Sequence, residues 1–154
     1  KYTQFTGTNP ISISAGTDTP LTDLTVDIIP TANNSKILLQ AHVFGEHTTV
    51  QDNQWDHMFF FYRDTTKLGA PTASSRRTGV SMATITFHIE AGSTPEVARF
   101  DYFDEPNTTS SITYKVGLAQ VGAGNFNLNR TVADIATASY ERGISFISAT
   151  EIAG

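Results

Sequence analysis

Ile112-Thr113-Tyr114-Lys115-Val116-Gly117-Leu118 alternates between large apolar residues and polar or small ones without a break. A period of two puts Ile112, Tyr114, Val116 and Leu118 on one face of an extended chain, with Thr113, Lys115 and Gly117 on the other. This is the pattern of a strand with one buried face. The same period recurs in both directions. Leu24, Val26 and Ile28 alternate with Thr25 and Asp27 until Pro30 ends the run. Ile37, Leu39, Ala41 and Val43 alternate with Leu38, Gln40, His42 and Phe44. In 80–89, Ala83, Ile85, Phe87 and Ile89 share a face, and further on Phe100 and Tyr102 oppose Arg99, Asp101 and Phe103. Phe126, Leu128 and Arg130 oppose Asn125, Asn127 and Asn129, and Ile144, Phe146 and Ser148 oppose Ser145, Ile147 and Ala149.

Strands recurring about every ten residues, separated by turn-formers, predict an all-β domain, an antiparallel sandwich or jelly-roll-like fold of about ten short strands with little or no helix. The one helix-permissive stretch, 132–140, has no apolar stripe and reads as a loop or a single turn. Asn, Asp, Gly and Pro fill the breaks because they supply turn dihedrals and local hydrogen bonds. Pro30 and Pro106 each open a polar loop that feeds a long strand, as equivalent crossovers between sheets would. Met58-Phe59-Phe60-Phe61-Tyr62 departs from the rule, because it is apolar on both faces. Such a strand is either central and covered on both sides or turned toward a neighbouring subunit.

The 154 residues form one domain, 1–154. The chain has no cysteine, so a disulfide framework, a thiolate metal site and a cysteine nucleophile are excluded together. Ten basic residues face fifteen acidic ones, and the net charge is −5. Arg76-Arg77 is the only adjacent basic pair. A nucleic-acid surface needs clustered cations to displace counterions, so nucleic acid is not an expected partner. Membrane insertion is not expected either, as no apolar run approaches the roughly 18 residues of a spanning helix. A start at Lys1 rather than methionine suggests a piece of a longer protein, with residues 1–10 as an extended linker or a trimer-contact arm.

Candidate chemistry is sparse. Glu46, His47, Asp56 and His57 would converge on a metal if they met at the base of a hairpin, but no zincin or EF-hand spacing is present and a solvated loop is favoured. Asp101, Asp104 and Glu105 are the nearest approach to a glycosidase carboxylate pair, and their positions suit a strand and a turn better. No nucleophile elbow or phosphate-cradling glycine loop occurs. A non-enzymatic domain with no cofactor and no metal is expected. The polar loop around Trp55 is the candidate ligand or receptor site: His47, Gln51, Asp52, Asn53, Trp55 and His57. Asn33, Asn107 and Asn129 stand in glycosylation sequons, which chance readily supplies in so Asn- and Thr-rich a chain.

Several segments resemble a module of bacteriophage tail-fibre and other virion surface proteins. They are 17–24 with Ile28 and Pro30, 35–39, Tyr62-Arg63-Asp64 with Lys67-Leu68-Gly69, Ile112 to Val116, Asn129-Arg130-Thr131, and Ile147 to Ile152. The resemblance runs over nearly the whole chain, in strand and turn signatures without a catalytic residue. It implies a β-sandwich that assembles as a homotrimer on the virion, beside other virion proteins. It also implies a fibre tip contacting a host surface glycan or protein, or else a capsid decoration protein or trimerisation knob. In such a trimer Phe59, Phe60, Phe61 and Tyr62 would form the subunit interface.

Overall fold

The computed structural model describes residues 1–48, 57–83 and 95–154. Among them are eleven strands and no helix. Two antiparallel sheets face each other, as the alternating pattern requires. Sheet A holds β1 (Tyr2–Phe5), β2 (Asn9–Ile13), β4 (Lys36–His47), β8 (Glu96–Asp104), β10 (Gly124–Leu128) and β11 (Ser145–Ile152). Sheet B holds β3 (Thr19–Ile28), β5 (His57–Arg63), β6 (Thr66–Leu68), β7 (Ser81–Ala83) and β9 (Ile112–Ala119). The strand read across 80–89 is described only as β7, and the rest of that expectation lies outside the described residues. Residues 132–140 form a loop.

β4 is the spine of sheet A. One flank pairs with β8 from Ile37 to Gly45; the other pairs with β11 and then, at Gly45 to His47, with β10. Gly45 serves both neighbours, and a Cβ there would press on the Asn127 carbonyl at 2.5 Å. The loops opened by Pro30 and Pro106 are crossovers, the first from β3 in sheet B to β4 in sheet A, the second from β8 in sheet A back to β9 in sheet B. Residues 1–10, expected as a linker or arm, contribute strands to the chain's own sheet: β1 pairs with β11, and β2 begins at Asn9 on β10. The amino group of Lys1 donates to the Ala149 carbonyl at 2.7 Å.

The core is built on rings. Phe59 lies 5.7 Å from Phe100 and 6.3 Å from Phe126, and Phe61 lies 5.0 Å from Phe100. These contacts join β5 to sheet A across the sandwich. Leu39, Val43, Tyr114, Val116 and Ile147 complete the filling.

The doubly apolar strand resolves in favour of a central, covered strand. Phe59, Phe60 and Phe61 are all fully buried within one chain, so the expected trimer interface at these three positions is corrected. Phe60 points away from the core, yet it is covered by its own neighbours. Lys67 Nζ sits 3.9 Å above its ring, and Tyr62 meets it edge-on at 5.2 Å. Lys67 is held there by Asp18 at 3.0 Å. Beneath the ring lies Gly117, directly across from Phe60 on β9. A glycine at this outward position of β9 thus makes room for a ring on the outer face. Tyr62 is half-buried.

A Cβ on Gly117 would collide with the Phe60 ring, which has no open space to move into. Gly117→Ala is expected to destabilise the domain by about 1–3 kcal/mol, the range for overpacking a tight site. Urea unfolding should show a lower midpoint with an unchanged slope. An unaltered midpoint would mean that the ring does not lie over the glycine.

Candidate functional site

Two polar clusters bracket the phenylalanines of β5, one at each end. At the first end, His47 closes β4 and His57 opens β5, and Gln120 follows β9. All three side chains are fully buried. The Gln120 amide bridges the two rings. Its Oε1 lies 2.8 Å from His57 Nε2, and its Nε2 lies 2.6 Å from His47 Nε2. The amide nitrogen also donates to the Gly122 carbonyl, which fixes the orientation of the amide. Consequently His57 Nε2 donates a proton to Gln120 Oε1, while His47 Nε2 accepts one. His47 is therefore neutral and carries its proton on Nδ1, a buried atom with no hydrogen-bond partner among the described residues. Burial, and secondarily the neighbouring His57, lower its pKa to about 3.

At the other end, Asp104 of β8 is 6% exposed and receives Arg63 Nη1 on both oxygens at 3.1 Å. The Tyr114 hydroxyl donates to the same carboxylate at 2.7 Å. Burial and this hydrogen bond raise the Tyr114 pKa. Like the histidine cluster, the trio ties sheet A to sheet B.

These placements sort the residues singled out in the sequence. His47 and His57 do come together, but as buried partners of Gln120 rather than on an open loop, so their expected ligand role is corrected. Gln51, Asp52, Asn53 and Trp55 lie outside the described residues, as does Asp56. Glu46 is buried and accepts the Val132 backbone N–H at 2.7 Å. Among the described residues no three His, Cys, Asp or Glu side chains gather as a metal-ligand set. Asp101, Asp104 and Glu105 diverge. Asp104 turns inward to Arg63, Glu105 pairs with Lys36 at 2.9 Å on the surface, and Asp101 is exposed on the outer face of sheet A. Asn129 carries no accessible sequon. Its amide donates to the carbonyls of Phe5 and Gly7 at 2.7 and 2.8 Å, and its Oδ1 accepts from Ser145 at 2.6 Å. Gln120 and Asn127 are structural residues that the sequence reading did not single out, and Asn129 figures in it only as a sequon and a turn signature. Their signal was available: asparagine is depleted from strands, so one recurring in a strand pattern needs a local hydrogen-bond reason.

Among the described residues, one surface with room for a partner is the outer face of sheet A. Pairing aligns Tyr2, Ser148, Gln40 and Asp101 in one row, and Gln4, Phe146, His42 and Arg99 in the next. Phe146 contacts Tyr2 and His42, each at 5.4 Å between ring centres. A shallow pocket of about 280 Å³ opens here between Gln40, Arg99, Asp101 and Phe146. Tyr2 is 56% exposed and Phe103 53%.

No family model and no curated protein matches the sequence. Among solved structures, the chain is similar to the crystal structure of the infectious bursal disease virus VP2 subviral particle, with a TM-score of 0.33 and 15% identity over 99% of this chain. The matched region spans 40% of that longer chain.

The neutral His47 makes stability depend on pH. Above pH 6.5 the imidazole is neutral in both folded and unfolded chains and contributes no pH dependence. Between 6.5 and about 3 the unfolded chain takes up a proton that the folded chain refuses, so stability falls on acidification. The slope from this one group approaches about 1.4 kcal/mol per pH unit. Urea midpoints measured from pH 7 to pH 4 should drop, and His47→Gln should flatten the drop. A His47→Gln profile parallel to that of the natural protein would remove His47 as its source.

Proposed function

We propose that this domain is a non-enzymatic module of a bacteriophage virion surface, a homotrimeric tail-fibre tip that contacts a host glycan or protein. The observation that carries the proposal is the division of labour between interior and surface. The groups suited to chemistry, His47, His57 and Asp104, are buried and engaged in joining the two sheets. Rings and polar groups are instead displayed on the outer face of a stiff sheet, where Tyr2, Phe146, Gln40 and Asp101 lie side by side. Exposed aromatic surface beside hydrogen-bonding groups suits adhesion. The resemblance of the strand and turn segments to virion surface proteins supports the same reading. With Phe59, Phe60 and Phe61 inside the subunit, a trimer would use other surfaces.

A second reading, capsid decoration, is favoured by the apolar side chains along β8. Val97 and Phe103 are 43% and 53% exposed and suit docking on another virion protein.

Purified domain is expected to bind host cells and to slow adsorption of the phage that encodes it. Tight binding to empty capsids without cell binding would replace the fibre reading by decoration, and binding to neither would overturn both. Light scattering at micromolar concentration should give about three times 16.7 kDa or a multiple of that unit. A monomer mass would contradict the trimer.

A further inference from the structure

The outer face of sheet B carries a pocket of about 220 Å³ between Pro20 of β3, Tyr62 of β5, Asp64 and Thr65 of the turn into β6, and Lys115 of β9. Strand pairing builds it. Pro20 lies across from Gly117, and Tyr62 lies across from Lys115 in the next row of the same face. β3 shifts register between Leu21 and Thr25, which interrupts the ladder between those two rows. The Tyr62 ring is fixed edge-on against Phe60 at 5.2 Å. Asp64 is held from three sides. Its N–H donates to the Thr113 carbonyl at 2.8 Å, its Oδ1 accepts the Thr113 N–H at 3.0 Å, and its carbonyl accepts Lys115 Nζ at 3.0 Å. These bonds seat the carboxylate and the ammonium side by side and use only part of their capacity. Asp64 Oδ2 and the remaining donors of Lys115 Nζ have no partner among the described residues.

The pocket therefore has two kinds of wall. Pro20 and the Tyr62 ring are apolar, whereas Asp64 and Lys115 set an acceptor beside a donor. The two charges are opposite and adjacent, so an anion or a cation entering the pocket meets repulsion from one of them. An apolar side chain would strip water from both groups and return no hydrogen bond, which is costly. The group that satisfies both walls is neutral, with C–H surface on one side and hydroxyls on the other, because a hydroxyl both donates and accepts. A pyranose has this form, and two adjacent hydroxyls reach a carboxylate oxygen and an ammonium together. The volume suits one such ring, since pockets for larger ligands begin at about 300 Å³.

We propose that this pocket is a monosaccharide subsite. It takes one neutral pyranose of a glycan, with the C–H face on Pro20 and Tyr62 and the hydroxyls shared between Asp64 Oδ2 and Lys115 Nζ. The proposal rests on the adhesive reading for the source of the glycan. It narrows that reading from a glycan or protein to a neutral glycan, and it adds a site on sheet B to the outer face of sheet A.

An NMR titration of the isotope-labelled chain tests it. The probes are the methyl glycosides of glucose, galactose, mannose and N-acetylglucosamine, with methyl glucuronide and leucine as the charged and zwitterionic comparisons. A neutral glycoside should shift the Tyr62 ring and Lys115 signals together, with a Kd on the order of 1 mM for so small a ligand. Asp64→Asn keeps an acceptor for the Thr113 N–H and tolerates the left-handed turn conformation, but puts a donor where Oδ2 accepts. Lys115→Met keeps the stem and removes the ammonium. Each should weaken binding about tenfold, as loss of one hydrogen bond to a charged group does. Urea midpoints check that both variants stay folded, and Arg99→Gln on sheet A should bind as the natural chain does. No shift at Tyr62 and Lys115 with any neutral glycoside, tighter binding of the glucuronide or of leucine, or binding indifferent to both variants would overturn the proposal. No cells enter this titration, so its failure leaves the adhesive reading standing. Sugar binding without cell binding would remove that reading and leave the site.

Discussion

Everything in this fold is arranged around β5, a strand that must be buried on both faces. Phe59, Phe60 and Phe61 are consecutive, so no single sheet-on-sheet contact covers all three. The inner face is met by Phe100 and Phe126 of the opposite sheet. The outer face is met by a lysine stem, its ammonium pinned by Asp18, over a glycine that leaves space for the ring. The two ends are fixed by polar clusters that reach across the sandwich, His47–Gln120–His57 at one and Arg63–Asp104–Tyr114 at the other. Buried polar groups are costly unless fully partnered, and for that reason they also fix a unique alignment of the two sheets.

The clusters place constraints on function as well. Imidazole, carboxylate and phenol are groups from which binding and catalytic sites are commonly built. Here they have partners from both sheets. An Asp104 that accepts from both Arg63 and Tyr114 is held as a structural acceptor. Among the described residues, the outer face of sheet A carries rings and polar groups side by side on a paired backbone.

Much of the fold was legible in the sequence. Alternation at Leu24 to Ile28, Ile37 to Val43 and Ile112 to Leu118 marked strands that do bury those faces, and Pro30 and Pro106 marked the crossovers. Period two reports which face is buried but not against what. That is why Met58 to Tyr62 admitted both a central strand and a subunit contact until Lys67 and Gly117 were placed around Phe60. The polar site was less legible. The residues His47 and His57 are ten positions apart in sequence, which suggested a shared loop, whereas their actual partner, Gln120, is brought by strand pairing from a distant part of the chain. Asn129 looked like a sequon because local sequence carries no record of the backbone carbonyls at Phe5 and Gly7 that occupy it.

In this fold the buried histidines are scaffold rather than ligand site. The most direct measurement is the protonation and tautomer of His47, read from long-range proton–nitrogen correlations of the folded protein between pH 5 and 8. A scaffold His47 stays neutral and protonated on Nδ1 throughout, unmoved by added zinc. A His47 ring that titrates near 6.5, or whose nitrogen resonances shift on zinc addition, would contradict it.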